Sequence, residues 1–291
     1  MKCIEKHTVP QQPQKIRLQE YAVGIFATVS TKSSIKKAIK KKLIFVDEKL
    51  ASTGLFIKGG EIIELYQFEE KELFKRLILP LTVLFEDNYL AAIYKPAGIE
   101  VSGNKFVTIA NGLQQNLQKS SLFDAVKPQP IHRLDYPTSG VLLIGKTSAS
   151  ILTLSKLFEN KKITKTYIAI CIGTMKNNGI IDTQIDNKPS ISTYKVLQTV
   201  ISKRFKFLNL VELQPKTGRK HQLRKHLFSI GNPILGDKDY GKEGLILNGN
   251  GLYLHAKTVE FIHPFTEEKM TITSEIPKKF KKVFPLEVTH S

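Results

Sequence analysis

Asp135 lies in the run His132, Arg133, Leu134, Asp135, Tyr136, Pro137, Thr138, Ser139, Gly140, directly before the apolar stretch Val141, Leu142, Leu143, Ile144. A carboxylate in a loop anchored by a core strand can serve as a nucleophile or a general base. On spacing alone, the rival reading of the same run is an Arg–Asp ion pair that closes a turn, and the functional reading is only slightly ahead of it. Three other clusters hold reactive side-chain types. In Tyr94, Lys95, Pro96, Ala97, Gly98, the Pro and Gly suit a tight turn with Lys95 held at its start, a pattern shared by ordinary strand-ending loops. Lys165, Thr166, Tyr167 opens another apolar stretch, where a lone tyrosine usually belongs to the core. Residues 215–226 read PKTGRKHQLRKH, and seven of these twelve can carry or share positive charge, which suits a phosphate-rich ligand.

Metal chemistry has little support. His221 and His226 are five residues apart, which is not a metal-pair spacing on a helix, and His132 and His255 lack a matching carboxylate pattern. The two cysteines, Cys3 and Cys171, form neither a CxxC pair nor a disulfide framework. No metal is expected.

The elements that must position these groups follow from hydrophobic periodicity. Strands are expected around residues 83–85, 90–93, 141–144, 167–170, 207–211 and 258–261, and helices over 109–117, 149–159 and 221–228. Strands outnumber helices without alternating strictly with them, so the expected class is α+β. Upstream, Ile35, Ala38 and Ile39 share one helical face, and Lys36, Lys37, Lys40 and Lys41 cover the rest. Ser30, Thr31 or Ser33 is a suitable N-cap. Short strands follow at 43–46 and 62–65, with Gly59 and Gly60 as a turn. The domain reading is an N-terminal extension at 1–20, a small module at 21–67, a charged linker at 68–78 and a large domain at 79–291.

Composition limits the function classes. The 291 residues include 44 Lys and Arg against 26 Asp and Glu, a formal net charge of +18 that draws polyanions. The N-terminal stretch is polar and holds Pro10 and Pro13, so no signal peptide is read there, and no run approaches the ~20 apolar residues of a membrane span. The expectation is a cytoplasmic, monomeric protein without a membrane partner.

Several long motifs, in order, resemble the RluA-type pseudouridine synthases. They are HRLDYPTSG followed by VLLIGKT, then KTYIAICIG, then PKTGRKHQLRKHLFSIGNPILGDKDYG, and the likeness spans residues 79–277. His132 at the head of the first motif favours this branch over the related small-subunit branch, which has Gly there. Residues 33–66 resemble the S4 RNA-binding module, through the basic helix, the strand after it, Ala51–Ser52–Thr53–Gly54 and Ile57–Lys58–Gly59–Gly60–Glu61; Asp47–Glu48 departs from that pattern. The resemblance implies a pseudouridine synthase fold with a mixed, mainly antiparallel central sheet, flanking helices and a small α+β S4-like module.

It also implies the chemistry. Such enzymes break the C1′–N1 bond of a uridine, turn the base and rejoin it through C5, with no cofactor. Asp135 matches the essential carboxylate, Arg224 its ion partner, and Tyr167 the tyrosine that stacks on the target base and assists proton loss at C5. The uridine must leave its helix to be reached, and Arg133 would fill the space it vacates. Lys95, Arg219 and Lys220 would contact the RNA backbone or frame the pocket, and Lys36, Lys37, Lys40 and Lys41 would bind phosphates. Departures from the family pattern are Tyr136–Pro137, Lys220 and residues 101–104. Ribosomal RNA of the large subunit is the expected substrate over tRNA. An inactive RNA-binding assembly factor and a hydrolase are the rivals; the latter would want a second carboxylate or a metal cluster near the motifs.

Overall fold

Thr147 ends a strand and starts a helix: its side chain accepts from the Ser150 N–H, and the Ser150 hydroxyl answers the Thr147 N–H. This reciprocal cap satisfies two donors that a helix otherwise leaves open. Similar local rules recur along the chain. The computed structural model describes residues 1–67, 77–247 and 249–284, and these fall into two compact units divided between Arg76 and Leu77.

In the first unit, β1 (Lys2–Thr8) and β2 (Ile16–Arg17) lead to α1 (Leu18–Tyr21) and α2 (Lys32–Lys40), followed by β3 (Ile44–Val46), β4 (Lys49–Leu50), β5 (Phe56–Ile57) and β6 (Ile62–Gln67). Thr31 caps α2 through a capping box with Ser34. Ile35, Ala38 and Ile39 are buried against Ile44, Ile63 and Leu65, while Lys36, Lys37, Lys40 and Lys41 are exposed. The two-sided pattern read from the sequence is therefore the observed one. Residues 1–20 differ from the expected extension. β1 pairs antiparallel with β6, β2 pairs with β5, and Val9 and Leu18 are buried in the same core. The polar, proline-interrupted composition concealed an edge strand because such a strand buries one face at most. Most of the expected linker, residues 68–76, lies outside the described residues.

The second unit continues with β7 (Thr82–Glu86), β8 (Leu90–Lys95), α3 (Ile109–Gly112), β9 (Ala125–Pro130), β10 (Ser139–Thr147), α4 (Ser148–Glu159), β11 (Thr164–Ile172), β12 (Asn178–Ile181), β13 (Ser192–Ser202), β14 (Lys206–Pro215), α5 (Gln222–Ser229), β15 (Leu254–Ile262), β16 (Lys269–Thr273) and α6 (Lys278–Val283). The sheet runs β12-β13-β14-β11-β15-β10-β8-β7, with β16 beside β15 and β9 beside β10. β10 and β15 pair parallel, and the other pairs described in this sheet are antiparallel. This is the mixed, mainly antiparallel α+β sheet expected from the motifs.

Two features of the sheet bear on the site. β10 is buried along its whole length, which explains its unbroken apolar reading. At Gly140 (φ 125°) the backbone comes so close to β15 that a Cβ would sit 2.1 Å from the Ala256 carbonyl oxygen, so only glycine fits immediately after the Asp135 loop. On β11, the pairing with β15 shifts register between Thr166 and Tyr167. Such a shift re-aims the side chain that follows it.

Candidate active site

Leu134 is buried, and the turn beyond Asp135 closes when the Thr138 N–H donates to the Asp135 carbonyl at 3.0 Å. Lys95 is buried completely beneath this loop. Its ammonium donates to the carbonyls of Pro96 (2.9 Å), Tyr136 (3.3 Å) and Thr138 (2.8 Å). Burial lowers the Lys95 pKa to about 8, and the charge of Asp135 opposes that shift. The expected RNA contact by Lys95 is thereby corrected: its three donors are spent on carbonyls and none of its surface is open. It ties the end of β8 to the Asp135 loop. His132 serves from the other side, where its Nε2 accepts from the Leu143 N–H at 3.1 Å. Burial, with Lys165 nearby, lowers its pKa to about 3, so it is a neutral acceptor at neutral pH.

Asp135 keeps 17% of its side chain open and lines a cleft of about 830 Å³. Three elements bring the expected triad together there: the loop before β10 carries Asp135, β11 carries Tyr167 and α5 carries Arg224, and all three line the cleft. Arg224 Nη1 stands 3.9 Å from Asp135 Oδ2, within ion-pair range but beyond hydrogen-bonding distance. At an effective dielectric near 20, opposite charges at that separation attract by about 4 kcal/mol.

The Arg224 guanidinium has nearer partners. Its Nε donates to Asp237 Oδ2 at 2.7 Å and its Nη2 to Asp237 Oδ1 at 2.6 Å, and Nη2 also reaches Asp239 Oδ2 at 2.7 Å. Burial works against the Arg224 charge, but the bonds to Asp237 and Asp239 outweigh it and raise its pKa. The simple two-member pair expected from the sequence is thus a cluster. Asp237 holds one edge of the guanidinium, and the remaining nitrogen faces Asp135. Tyr240 lies against the same guanidinium, 4.9 Å from ring centroid to Cζ. Asp237, Asp239 and Tyr240 were not singled out from the sequence. The signal present was GDKDYG at the end of the third motif, whose spacing suggests a turn and nothing more. Asp237 and Asp239 do supply carboxylates near the motifs, as a hydrolase would want, but both are occupied by Arg224.

The sequence marks His221 only as one of the seven potentially cationic groups of 215–226 and as a poor metal ligand. Its Nε2 is 3.8 Å from Asp135 Oδ1, and its Nδ1 lies 3.0 Å from the Tyr240 hydroxyl. Its pKa is lowered, first by burial, while Asp135 pulls the other way.

Tyr167 forms part of the cleft wall. Burial, then the charge of Asp135, pushes its hydroxyl pKa up strongly, so the phenol stays protonated. Around the mouth, Arg133, Lys161, Lys216, Arg219 and Lys220 are exposed. Arg219 is partly committed, since Nε and Nη2 donate to the Pro189 carbonyl at 3.2 Å each. Gln222 organises this rim. Its Oε1 accepts from Thr217 Oγ1 (2.8 Å) and the Arg219 N–H (3.0 Å), while its Nε2 donates to the Ile191 carbonyl (3.0 Å) and Ser192 Oγ (2.9 Å). Among the described residues there is no cluster of three or more His, Cys, Asp or Glu that could hold a metal, and no helix long and apolar enough to cross a membrane.

A carboxylate that is paired without being hydrogen-bonded, beside the Tyr167 wall and a cationic mouth, suits chemistry on a planar base carried by a polyanion. Comparison with known proteins agrees. Residues 89–229 match the family model described as RNA pseudouridylate synthase. Ribosomal large subunit pseudouridine synthase C of Buchnera aphidicola subsp. Schizaphis graminum is 36% identical over 227 residues, 68% of each chain. Ribosomal large subunit pseudouridine synthase D of the same organism is 32% identical over 302 residues, 92% of each chain. An uncharacterized RNA pseudouridine synthase of Aquifex aeolicus is 31% identical over the full length of both chains. Among solved structures, human RNA pseudouridylate synthase domain containing 4 superimposes with a TM-score of 0.56 at 26% identity, covering 68% of this chain and 90% of that one.

Proposed function

The chain belongs to the RNA pseudouridylate synthase family, and on that premise we propose that it isomerises specific uridines of large-subunit ribosomal RNA, as a cytoplasmic monomer, with Asp135 as the essential carboxylate. The observation that carries this reading is the convergence of Asp135, Tyr167 and Arg224 from three elements on one cleft with a cationic mouth. The names of the relatives support ribosomal RNA over tRNA, since synthases C and D of the large subunit align over most of this chain.

In this reaction the C1′–N1 bond breaks, the base turns, and a C1′–C5 bond forms; C5 loses a proton and N1 gains one, so no cofactor is consumed. The target uridine is flipped into the cleft, where Tyr167 gives the base a flat wall. Arg133, exposed at the lip, stacks into the vacated helix. Asp135 attacks the ribose or removes a proton from it, held ready by Arg224 Nη1. Tyr167 shapes the slot from the cleft wall and assists proton loss at C5. Lys220 and Arg219 take backbone phosphates at the mouth. The small unit acts as an S4-like RNA-binding module through Lys36, Lys37, Lys40 and Lys41, giving salt-dependent affinity with little sequence preference. An inactive assembly factor would have no use for a cleft-facing Asp135 set against a buried Arg224–Asp237 pair.

The test is tritium release from ribosomal RNA labelled at C5 of uridine. Wild-type protein is expected to release tritium without freeing base or cutting the chain, and Asp135→Asn to release none while binding RNA nearly as well. Absence of release by the wild type would overturn the reading, and parallel loss of binding and turnover in Asp135→Asn would remove the proposed role.

A further inference from the structure

Both oxygens of Asp135 have a nitrogen facing them. Arg224 Nη1 stands 3.9 Å from Oδ2, and His221 Nε2 stands 3.8 Å from Oδ1. Arg224 is the ion partner of the carboxylate. We propose that His221 is a second positioning residue for Asp135: Tyr240 holds its Nδ1, and the imidazole presents its Nε2 hydrogen to the carboxylate oxygen that Arg224 does not face. This rests on the reading of Asp135 as the essential carboxylate.

Three features support it. The first is the tautomer. The Tyr240 hydroxyl lies 3.0 Å from Nδ1, and a hydroxyl that donates there leaves the single imidazole hydrogen on Nε2, toward Asp135. The second is the backbone. His221 sits at φ 55°, ψ 27°, just ahead of α5, and gives that helix no side-chain cap. A non-glycine residue in the left-handed region is uncommon, and here it sets the imidazole toward Asp135 and Tyr240 in place of capping the helix. The third is the shared support. Tyr240 also stacks on Arg224, and the backbone N–H of Tyr240 is held by Asp237 Oδ1 at 3.0 Å. One short turn thus orients both groups that flank Asp135.

The charged and titratable groups facing the imidazole are Asp135, Arg224, Lys220, Asp239 and Tyr240. Burial, then Arg224 and Lys220, lower its pKa, while Asp135 and Asp239 pull the other way. Arg224 supplies the charge that faces the carboxylate, and the imidazole N–H adds orientation at the other oxygen. The present 3.8 Å is too long for a hydrogen bond, and such contacts commonly tighten when substrate closes the site.

Two variants keep the backbone and remove the imidazole. Glycine adopts φ near 55° freely and asparagine tolerates it, so His221→Gly and His221→Asn are expected to fold. In single-turnover tritium release on ribosomal RNA, both should lose about 10–100-fold in rate, the size expected for a mispositioned reacting group, with RNA binding within about twofold of wild type. Free imidazole should restore part of the rate of His221→Gly. Tyr240→Phe, which keeps the ring on Arg224 but frees Nδ1, should show a smaller loss. Turnover of His221→Gly and His221→Asn near the wild-type rate would overturn the proposal. So would a loss in both that imidazole fails to repair, since that marks a role in folding alone. Asp135→Asn is run alongside: if it stays active, the underlying reading of Asp135 fails, whereas an inactive Asp135→Asn beside an active His221→Gly rejects only the role given to His221.

Discussion

Replacing Asp237 by Ala should reveal how far the site depends on a residue that touches no substrate. Asp237 is fully buried and its two oxygens accept four bonds: Arg224 Nε at 2.7 Å, Arg224 Nη2 at 2.6 Å, and the N–H groups of Asp239 and Tyr240 at 3.0 Å each. Arg224 is itself 3% exposed. Removing one partner of a buried, hydrogen-bonded pair leaves a charge without compensation and costs about 3–5 kcal/mol. Asp239 retains one bond to Arg224, which places Asp237→Ala toward the lower end. For a unit of this size each kcal/mol lowers Tm by about 2–4 °C, so the fall should be about 6–12 °C. Asp237→Asn keeps an oxygen for the backbone N–H groups and should lose less. Asp239→Ala is the internal control: with 62% of the Asp239 side chain exposed, its pair is worth less than about 1 kcal/mol. Calorimetry of the three variants gives the ranking, and tritium release measured well below each Tm gives the functional half. There, Arg224 freed from its fork should swing onto Asp135 and depress turnover. A Tm for Asp237→Ala within about 2 °C of wild type, or one matched by Asp239→Ala, would refute the view that Asp237 anchors the guanidinium.

Lys95→Met should destabilise the protein by about 2–4 kcal/mol in urea unfolding, because the carbonyls of Pro96, Tyr136 and Thr138, the last of them buried, lose a charged donor; a change in RNA affinity with unaltered stability would instead restore Lys95 to the binding surface. Replacing Lys36, Lys37, Lys40 and Lys41 together by Ala should leave Tm nearly unchanged, since all four are exposed. It should also flatten the dependence of log K on log salt by about 0.7–0.9 for each phosphate that is no longer neutralised, measured by filter binding. His255 is fully buried between Ser139 Oγ (3.0 Å) and Ser274 Oγ (2.9 Å), and burial lowers its pKa from 6.5 to about 4. Its folded pKa lies below the unfolded one, so the unfolded chain binds the proton first and stability is lost as pH falls. Within the window from about 6.5 down to 4 this one group removes up to about 1.4 kcal/mol per pH unit. Unfolding free energies at pH 7, 6, 5 and 4 for wild type and His255→Gln check this, and equal slopes for the two proteins would reject it.

Much of the protein could be read from the chain because local rules carried it. The buried run at 141–144, the lysine-coated face of α2 and the helix after Thr147 each arise from periodicity or capping, which act within one element. The positions of Asp135, Tyr167 and Arg224 in ordered motifs pointed to their shared cleft by resemblance, while spacing alone put a functional Asp135 only slightly ahead of an ion pair in a turn. What the sequence could not decide were pairings between distant segments. Residues 1–20 gain their order from an edge on β6 that lies more than fifty residues away. Lys95 is the same residue type as Lys220, yet one is sealed under a loop and the other is open at the cleft mouth. Arg224 is held by Asp237, thirteen positions on, as well as facing Asp135, and His221 meets Asp135 across eighty-six residues. Residue type determines which interactions a side chain can make. Which partner it meets, and how dry the meeting place is, depends on the folded sheet, because attraction between charges and the penalty for burying them both change steeply over a few ångströms.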